Sequence, residues 1–421
     1  MAKNTPPPGT SDIFPDEIPV WYNFEEKARA VFSLYGYGEL RTPVIEYTEV
    51  FQRSLGDDTE VVQKEMYTFE DRGGRSLTLR PEGTAGVMRA LSGTDVMNGN
   101  EKRVFYIGPM FRGERPAKGR KRQFHQVGVE CVGRVAPELD AENIAMLIHY
   151  LEELGIKGCK LHINTRGVQA DREPAEVALR EFFKDKIDSM CADCRARYEK
   201  NIWRILDCKV DVCKEVVDKA PNMVDFFTDE SKKYFETVCS SLDKMGVEYV
   251  VEPRLVRGLD YYVHTVFEVT HDAFGENNTL ALAGGGRYEL YLPGNKKPVI
   301  GVGFAAGLER LQMIQEALNV EQASFEQDTV YLVSLGSAAK EYNIKLAAEL
   351  RKNNIRTLLE VEDRSMKAQM RSANKSNAKF TLILGENELE SSIIMCKDME
   401  LGEQIELSLN EVVDYLLKRI K

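Results

Sequence analysis

The chain has 421 residues, 56 basic and 67 acidic side chains, a formal net charge of -11 and 43% hydrophobic residues. That length suits two or three domains with buried cores. The acidic balance excludes nonspecific nucleic-acid binding over the whole surface, while a local basic cluster would still act within a Debye length of roughly 10 Å.

No apolar run spans a bilayer, and the start MAKNTPPPGTSDIFP lacks the basic-then-apolar layout of a signal peptide. Eight cysteines without such a signal point to reduced thiols in the cytoplasm. Residues 16–35 carry Trp21, Phe24, Ala28, Val31 and Phe32 at helical spacing, and Gly36 and Gly38 should stop that helix. ELRTPVIE (39–46) follows as a strand. SLTLR (76–80), RVFYIGPMF (103–111) and QFHQVGVEC (123–131) read as further strands. A helix over about 138–154 leads to the strand KLHIN (160–164).

Residues from about 170 to 245 are charged and mostly helical. Strands return at EYVVE (248–252) and YYVHTVFEV (261–269). AGGGRY (283–288) has the composition of a tight turn. GVGFAAGLERLQMIQEAL then reads as a strand running into a helix. The polar stretch EQASFEQD (321–328) reads as a linker, and beyond it strands and helices alternate to the end. Alternation of that kind implies a small α/β domain with right-handed crossovers. The first 320 or so residues do not alternate, so an α+β domain is expected there, an antiparallel sheet flanked by helices. The expected division is 1–325, with a mostly helical insertion at about 170–245, and 326–421.

Between Arg112 and Arg122 the chain sets six Lys/Arg against one acid, Glu114. Flanking strands make 103–131 a long hairpin, and alternation puts Phe124, Gln126, Gly128 and Glu130 on one side. Gln126 and Glu130 then sit roughly 13 Å apart, an amide at one end and a carboxylate at the other, with Gly128 leaving room between. Arg112 at the mouth offers a planar fork to a carboxylate or phosphate. The bland alternative is a solvent-facing hairpin with a charged tip.

Other segments add polar groups. TLRPEGTAGVMRAL (78–91) places Glu82, Gly83 and Thr84 between a strand and an apolar helix, where Glu82 can pair with an ammonium and Thr84 can accept a bond or cap the helix. LVRGLDYYVHTVFEV sets Arg257 and Asp260 beside Tyr261 and Tyr262 at a strand entry, where a charge needs a partner or a ligand. GFAAGLER puts Arg310 at a glycine-lined helix start, a combination that suits phosphate.

Together YGYGELRTPVIE, LTLRPEGTAG, YIGPMFRGERPAKGRKRQFHQVGVE, LVRGLDYYVHTVFE and GFAAGLERL resemble the histidyl-tRNA synthetases, a family of class II aminoacyl-tRNA synthetases. The resemblance covers nearly the whole chain and all three class II motifs: the 16–35 helix with the strand containing Pro43, the hairpin with Arg112, and GLER with Arg310. RGLDYY is particular to the histidine enzymes. One departure stands out. After GGGRY the family usually continues D-G-L, whereas this chain has Glu289, Leu290 and Tyr291.

The resemblance implies that Glu82, Thr84 and Gln126 hold the α-amino group of histidine, and that Glu130 and Tyr262 bind its imidazole. Gly83, Tyr261 and Tyr288 would line the same pocket. Arg112 would bind the histidine carboxylate and the α-phosphate of ATP, with Glu114 beside the nucleotide. Arg257 would touch both histidine and ATP and stabilise charge at the α-phosphate, and Arg310 would take the γ-phosphate. Arg257 and Arg112 are thus the catalytic pair. His264 is given no catalytic role, and His125 alternates off the Gln126 face and should pack.

In this family the hairpin loop closes over ATP and meets the acceptor end of the tRNA, which gives Arg120, Lys121 and Arg122 a polyanion to face. Residues 329–421, by resemblance the anticodon-binding domain, hold 14 Lys/Arg and 14 Asp/Glu, so the whole deficit lies in residues 1–328. Arg364, Lys367, Arg371, Lys375 and Lys379 recur every three or four residues, either a tRNA-facing stripe or a solvated face. Cys191-x2-Cys194 and Cys208-x4-Cys213 are near zinc-ribbon spacing and could hold a structural zinc, although the second pair is spaced for a helix rather than a knuckle.

The implied reaction joins ATP and histidine to histidyl-adenylate and passes the histidyl group to histidine tRNA. Magnesium is implied because polyphosphate charge must be neutralised, with no protein ligand assigned, and a homodimer is implied because motif 1 forms the family's interface. Two rivals differ in class. One is the non-catalytic regulatory paralogue of histidine biosynthesis, which lacks the anticodon domain. The other is an RNA-binding module with a decayed site, against which Glu82, Glu130, Arg257 and Arg310 stand intact.

Overall fold

The computed structural model describes residues 4–56, 59, 61–98, 100–257, 261–275, 280–322 and 328–420. The chain divides into two compact units, Met1–Ala323 and Ser324–Lys421. The boundary expected at 325/326 and most of the expected linker lie outside the described residues. No described helix is long and apolar enough to cross a membrane.

The first helix, Ile18–Leu34, begins with proline in its first turn, where a missing N–H is harmless. Its buried face is Trp21, Phe24, Ala28, Val31 and Phe32. Gly36, at φ +82°, ends it. The expected strand ELRTPVIE is instead two fragments: Gly38–Glu39 and Ile45–Tyr47 belong to different sheets. Pro43 between them lacks an N–H and cannot continue a ladder.

Eight strands form the main sheet, in the order 38–39, 102–111, 123–132, 299–307, 283–290, 262–270, 160–165, 250–251. All pairs are antiparallel except the two outermost. EYVVE contributes only Val250–Val251. The expected turn at AGGGRY is the strand Ala283–Leu290, deep in the sheet. Its glycines are there for close approach: a Cβ on Gly285 would stand 2.0 Å from the Gly303 carbonyl. The departure Glu289-Leu290 continues this strand, and Tyr291 is exposed.

Helices Ile18–Leu34, Pro137–Glu153, Asp229–Met245 and Leu308–Ala317 cover one face, where Phe24, Phe32, Tyr150, Leu242 and Leu311 meet Val127, Val129, Phe267 and Phe304. Helices Thr48–Leu55 and Thr84–Ser92 pack toward the other, with Met88, Tyr106, Tyr262, Val266 and Tyr288 in one cluster. The insertion is helical as expected and has its own core around Leu179, Phe183, Trp203 and Ile205. Ile45–Tyr47, Ser76–Leu79 and Tyr67–Glu70 form a separate antiparallel sheet.

The second unit has a five-stranded sheet in the order 356–359, 329–334, 380–384, 393–398, 404–408, whose first three strands are parallel. Helices Ser337–Lys352 and Met366–Lys375 supply the crossovers.

Candidate active site

Gln126, Gly128 and Glu130 face one side of the sheet while Val127, Val129 and Cys131 enter the helix-covered core on the other, as the alternation required. A cavity of about 170 Å³ opens on the first side. Glu82, Thr84, Arg112, Glu114, Gln126 and Glu130 line it. So do Tyr261, Tyr262, Tyr288, Arg257 and Arg310, together with Arg120 and Lys121 from the hairpin loop. Segments far apart in the chain thus meet in one cavity. Arg122 is outside it, its Nε donating to the Glu114 carbonyl at 3.2 Å. Asp260 lies outside the described residues.

The acids occupy the buried part. Glu130 accepts the Thr84 hydroxyl and the Tyr288 hydroxyl, each at 2.7 Å. Burial pushes its carboxyl up to about 8, helped by the nearby Glu82 charge and opposed by the two hydroxyl donors. Glu82 accepts the backbone N–H groups of Thr84 at 2.8 Å and Ala85 at 2.7 Å. The helix is therefore capped by Glu82; of the two roles open to Thr84, an acceptor or a cap, the cap is absent because Thr84 is already the first helical residue, and its hydroxyl turns to Glu130 instead. Burial raises the Glu82 carboxyl too. Gln126 Oε1 is buried with no hydrogen-bond partner, an acceptor that calls for a donor from a ligand.

The guanidinium groups are half-buried. Arg112 Nε donates to the Pro81 carbonyl at 2.9 Å, and its head stacks over Phe124 at 5.4 Å. Its NH1 stands 3.9 Å from Glu114, which is equally far from Arg120. Arg257 is paired with Glu268, and its Nε is buried without a partner. Arg310 donates to the carbonyls of Gly119 at 2.9 Å and Ala281 at 2.6 Å. Burial, then the fields of Arg112 and Arg120, lower its pKa. Converging like charges with spare N–H donors make a site ready for a polyanion.

The structure also contains what the sequence reading missed. Tyr106 pairs with Gly128 across the hairpin, and its ring fills the room that Gly128 was expected to leave open; a Cβ there would lie 2.4 Å from the ring. Alternation along YIGPMF was the available signal. Gly303 lies opposite Glu130, and a Cβ on it would come within 2.2 Å of Glu130 Oε2. Arg287 of GGGRY is fully buried, bonded to Asp140 at 2.5 Å and to the Arg134 carbonyl at 2.9 Å, a clamp on the helical side that takes no part in the cavity. His125 packs as expected, edge-on to Trp21 and with its N–H on Glu309.

Elsewhere, the basic stripe of the second unit is shorter than its spacing suggested. Lys367, Arg371 and Lys375 are exposed on one helix, but Arg364 precedes it, paired with Glu362, and Lys379 follows it, paired with Asp328. The four cysteines converge inside the insertion, away from the cavity.

An antiparallel sheet with a hairpin arginine, a glycine-lined strand leading into a helix arginine, and buried acids between them is the catalytic architecture of a class II aminoacyl-tRNA synthetase. The histidyl-tRNA synthetase family model matches residues 9–311, and an anticodon binding domain model matches residues 329–419. A histidine–tRNA ligase of Fervidobacterium nodosum is 46% identical over 408 residues, covering 96% of each chain. One from a Geobacillus species is 47% identical over 420 residues, 98% of this chain and 99% of that one. The crystal structure of apo Staphylococcus aureus histidyl-tRNA synthetase superposes with a TM-score of 0.80 at 37% identity, covering 99% of both chains. The chain belongs to the histidyl-tRNA synthetase family. It is an enzyme of the ligase class with a class II catalytic domain and an anticodon-binding domain, which excludes the regulatory paralogue.

Proposed function

We propose that the cavity binds histidine and ATP together, forms histidyl-adenylate, and transfers the histidyl group to the 3′ end of histidine tRNA. The observation that carries this reading is the gathering of Glu82, Gln126 and Glu130 with Arg112, Arg257 and Arg310 in one cavity.

The unpaired Gln126 Oε1 and the Glu82 carboxylate accept the α-ammonium, with Thr84 oxygen beside them. Glu130 accepts a ring N–H of the imidazole and Tyr262 meets the other nitrogen, while Tyr261 and Tyr288 form the walls; Gly83, expected among them, is not in the lining and backs onto the Tyr106 ring instead. A substrate without the ring N–H would bury Glu130 with only the Thr84 and Tyr288 hydroxyls as donors and the polar end of the pocket unmatched, and such polar mismatch can discriminate by roughly 10⁴ or more. Arg112 holds the histidine carboxylate against the α-phosphate, and Arg310 holds the γ-phosphate, with Glu114 at the nucleotide. A carboxylate oxygen attacks the α-phosphorus in line, the P–O bond to the β-phosphate breaks, and pyrophosphate leaves. The spare Nε of Arg257 meets the charge that develops. The tRNA 3′-hydroxyl then attacks the anhydride carbonyl and AMP leaves.

Magnesium supplies charge neutralisation when bound to ATP. Among the described residues the only three or more His, Cys, Asp or Glu side chains that converge are the four cysteines. An ion arriving with the nucleotide would need at most one or two carboxylates beside phosphate and water. We read the chain as a homodimer. The register of the separate sheet lines up Ile45, Leu79 and Tyr67 in one row and Tyr47, Leu77 and Phe69 in the next, and Ile45, Tyr47, Tyr67 and Phe69 are exposed. An apolar sheet face of this kind supports a second copy as its cover. Eight free thiols are in keeping with a reducing cytoplasm.

Histidine-dependent exchange of pyrophosphate into ATP tests the reading. Exchange is expected with histidine alone among the amino acids, and its absence from folded protein would refute the assignment.

A further inference from the structure

We propose that Cys191, Cys194, Cys208 and Cys213 bind one structural zinc ion, and that this ion holds the insertion against the segment leading to Arg257. The four sulfurs lie within 4.8 Å of one another, and those of Cys191 and Cys208 are 3.8 Å apart. Thiolates around a tetrahedral zinc, each about 2.3 Å from the metal, stand roughly 3.8 Å from each other. A small contraction would close the group on a single ion. A disulfide needs its sulfurs at about 2.05 Å, and all four side chains are free thiols.

The surroundings suit metal-bound sulfur. The backbone N–H of Cys194 donates to Cys191 Sγ at 3.4 Å, and that of Cys191 to Cys213 Sγ at 3.2 Å. Such donors spread the negative charge that a thiolate ligand carries. Cys194, Cys208 and Cys213 are buried and Cys191 is half-buried, so the site is closed to a substrate. A closed, four-sulfur set is the form of a structural rather than a catalytic zinc.

The insertion has reason to need such an ion. The helices that carry Cys194 and Cys213, Ala192–Lys200 and Asp211–Val217, have 9 and 7 residues, too few to persist without tertiary support; Cys191 caps the first and Cys208 precedes the second. Metal binding contributes directly to folding in small cores of this kind. The same core includes Val256. Beside it, the Arg254 guanidinium donates to the carbonyls of Pro221 at 3.0 Å, Asp218 at 3.3 Å and Ala220. The chain therefore runs from the cysteine group through one packed cluster to the residue next to Arg257. The second half of the proposal rests on the catalytic role given to Arg257; the first half does not.

The test uses the full chain purified in reducing buffer without chelator. Elemental analysis should find one zinc per chain, and a cobalt-loaded sample should show the visible absorption of tetrahedral thiolate coordination. Cys191→Ser/Cys194→Ser should lower the metal content at least tenfold. Should those changes prevent folding, wild-type chain stripped with chelator and titrated with zinc against a chromophoric competitor gives the same stoichiometry. A folded chain that holds and takes up no zinc, or that holds iron instead, overturns the metal assignment. Stripped but folded protein should lose exchange rate several-fold with a smaller change in histidine KM; an unchanged rate overturns the coupling to Arg257. Loaded wild-type enzyme with no exchange at all would refute the functional reading, while the metal count would stand.

Discussion

Tyr106 and Gly128 face each other across the catalytic hairpin, and the tyrosine ring occupies the volume in which a Cβ on Gly128 would sit. The same ring lies 2.3 Å from where a Cβ on Gly83 would be. It wedges between the hairpin floor and the loop that carries Glu82, and so should set the depth of the end proposed for the amino acid. Gly128→Ala should push the ring toward Thr84 and Glu130. We expect histidine KM to rise about tenfold, equivalent to about 1.4 kcal/mol, with ATP KM changed much less. Gly128→Ala/Tyr106→Leu should recover part of the loss, because the colliding atoms are gone. Steady-state exchange kinetics on the three proteins decide it, and equal histidine KM values in all of them would contradict the wedge.

On the proposed reading, Glu130 should link histidine binding to pH. Its carboxyl is pushed up to about 8 by burial, so the protonated form prevails in free enzyme at pH 7. Accepting a ring N–H favours the carboxylate, so histidine binding should release a proton. Affinity should therefore rise between pH 6.5 and 8 and level off above that. Stability runs the other way. The unfolded chain holds Glu130 at its ordinary carboxylate value, so folding takes up a proton between that value and about 8. The stability contribution of this group falls as pH rises through that window. Calorimetry in buffers of different ionisation enthalpy should detect proton release at pH 7 that is absent with Glu130→Gln. Equal proton release by both proteins would place the titrating group elsewhere.

Arg257 is expected to act in the transition state rather than in substrate capture. Its NH1 is engaged by Glu268 while its Nε is left over, so the head is oriented before ATP arrives. Arg257→Ala should lower the exchange rate about 10²–10³-fold while the dissociation constant of histidine changes only a few-fold. Equilibrium dialysis and exchange on the same preparation separate the two. Loss of histidine binding equal to the loss of rate would make it a substrate-binding residue instead.

Much of the site was legible because it obeys strand alternation and helix spacing. Gln126 and Glu130 fall on one face from a two-residue period alone, and Phe24, Val31 and Phe32 fall on one helix face from spacing alone. What escaped depended on contacts between distant segments. Gly303 looked like part of a glycine-rich strand, yet its lack of a side chain makes room for the Glu130 carboxylate. Arg287 sat in a run that resembles a turn, and only the arrival of Asp140, 147 residues away in the chain, explains a fully buried guanidinium. The glycine run became a strand because strand ladders are decided by neighbours as much as by propensity. Pro43 broke a stretch, ELRTPVIE, that otherwise read as one strand.

Two basic surfaces make separable predictions about tRNA. Arg120 is exposed on the hairpin loop, 3.9 Å from Glu114; Lys367 and Arg371 are exposed on one helix of the second unit. Arg120→Ala should weaken tRNA binding and, because the same side chain lines the cavity, raise the ATP KM a few-fold with the histidine KM little changed, a charge effect on two polyanions. Lys367→Ala/Arg371→Ala should reduce the slope of log affinity against log salt by roughly 0.7–0.9 for each phosphate that is no longer neutralised, with exchange untouched. Filter binding over a salt series measures both. An unaltered slope in the double variant would make the helix face a solvated one.

The exposed rows Ile45–Leu79–Tyr67 and Tyr47–Leu77–Phe69 bear on assembly. Their opposite face is polar and already satisfied, with Thr78 bonded to Thr48 at 2.9 Å and Thr68 at 3.1 Å, so the apolar side is the one left to be covered. Helix Thr48–Leu55 begins directly after the first of these strands and packs on helix Thr84–Ser92, whose N-terminus carries Glu82 and Thr84. Covering this sheet in a dimer would therefore steady the amino-acid end of the cavity. Tyr67→Lys/Phe69→Lys puts like charges on both copies at the symmetric interface, where repulsion and the loss of apolar burial act together. Light scattering should find a dimer for the wild type and a monomer for the variant, and histidine-dependent exchange should fall about tenfold or more as the mass halves. A variant that stays dimeric, or a wild type that is monomeric at micromolar concentration, would remove this face from the interface.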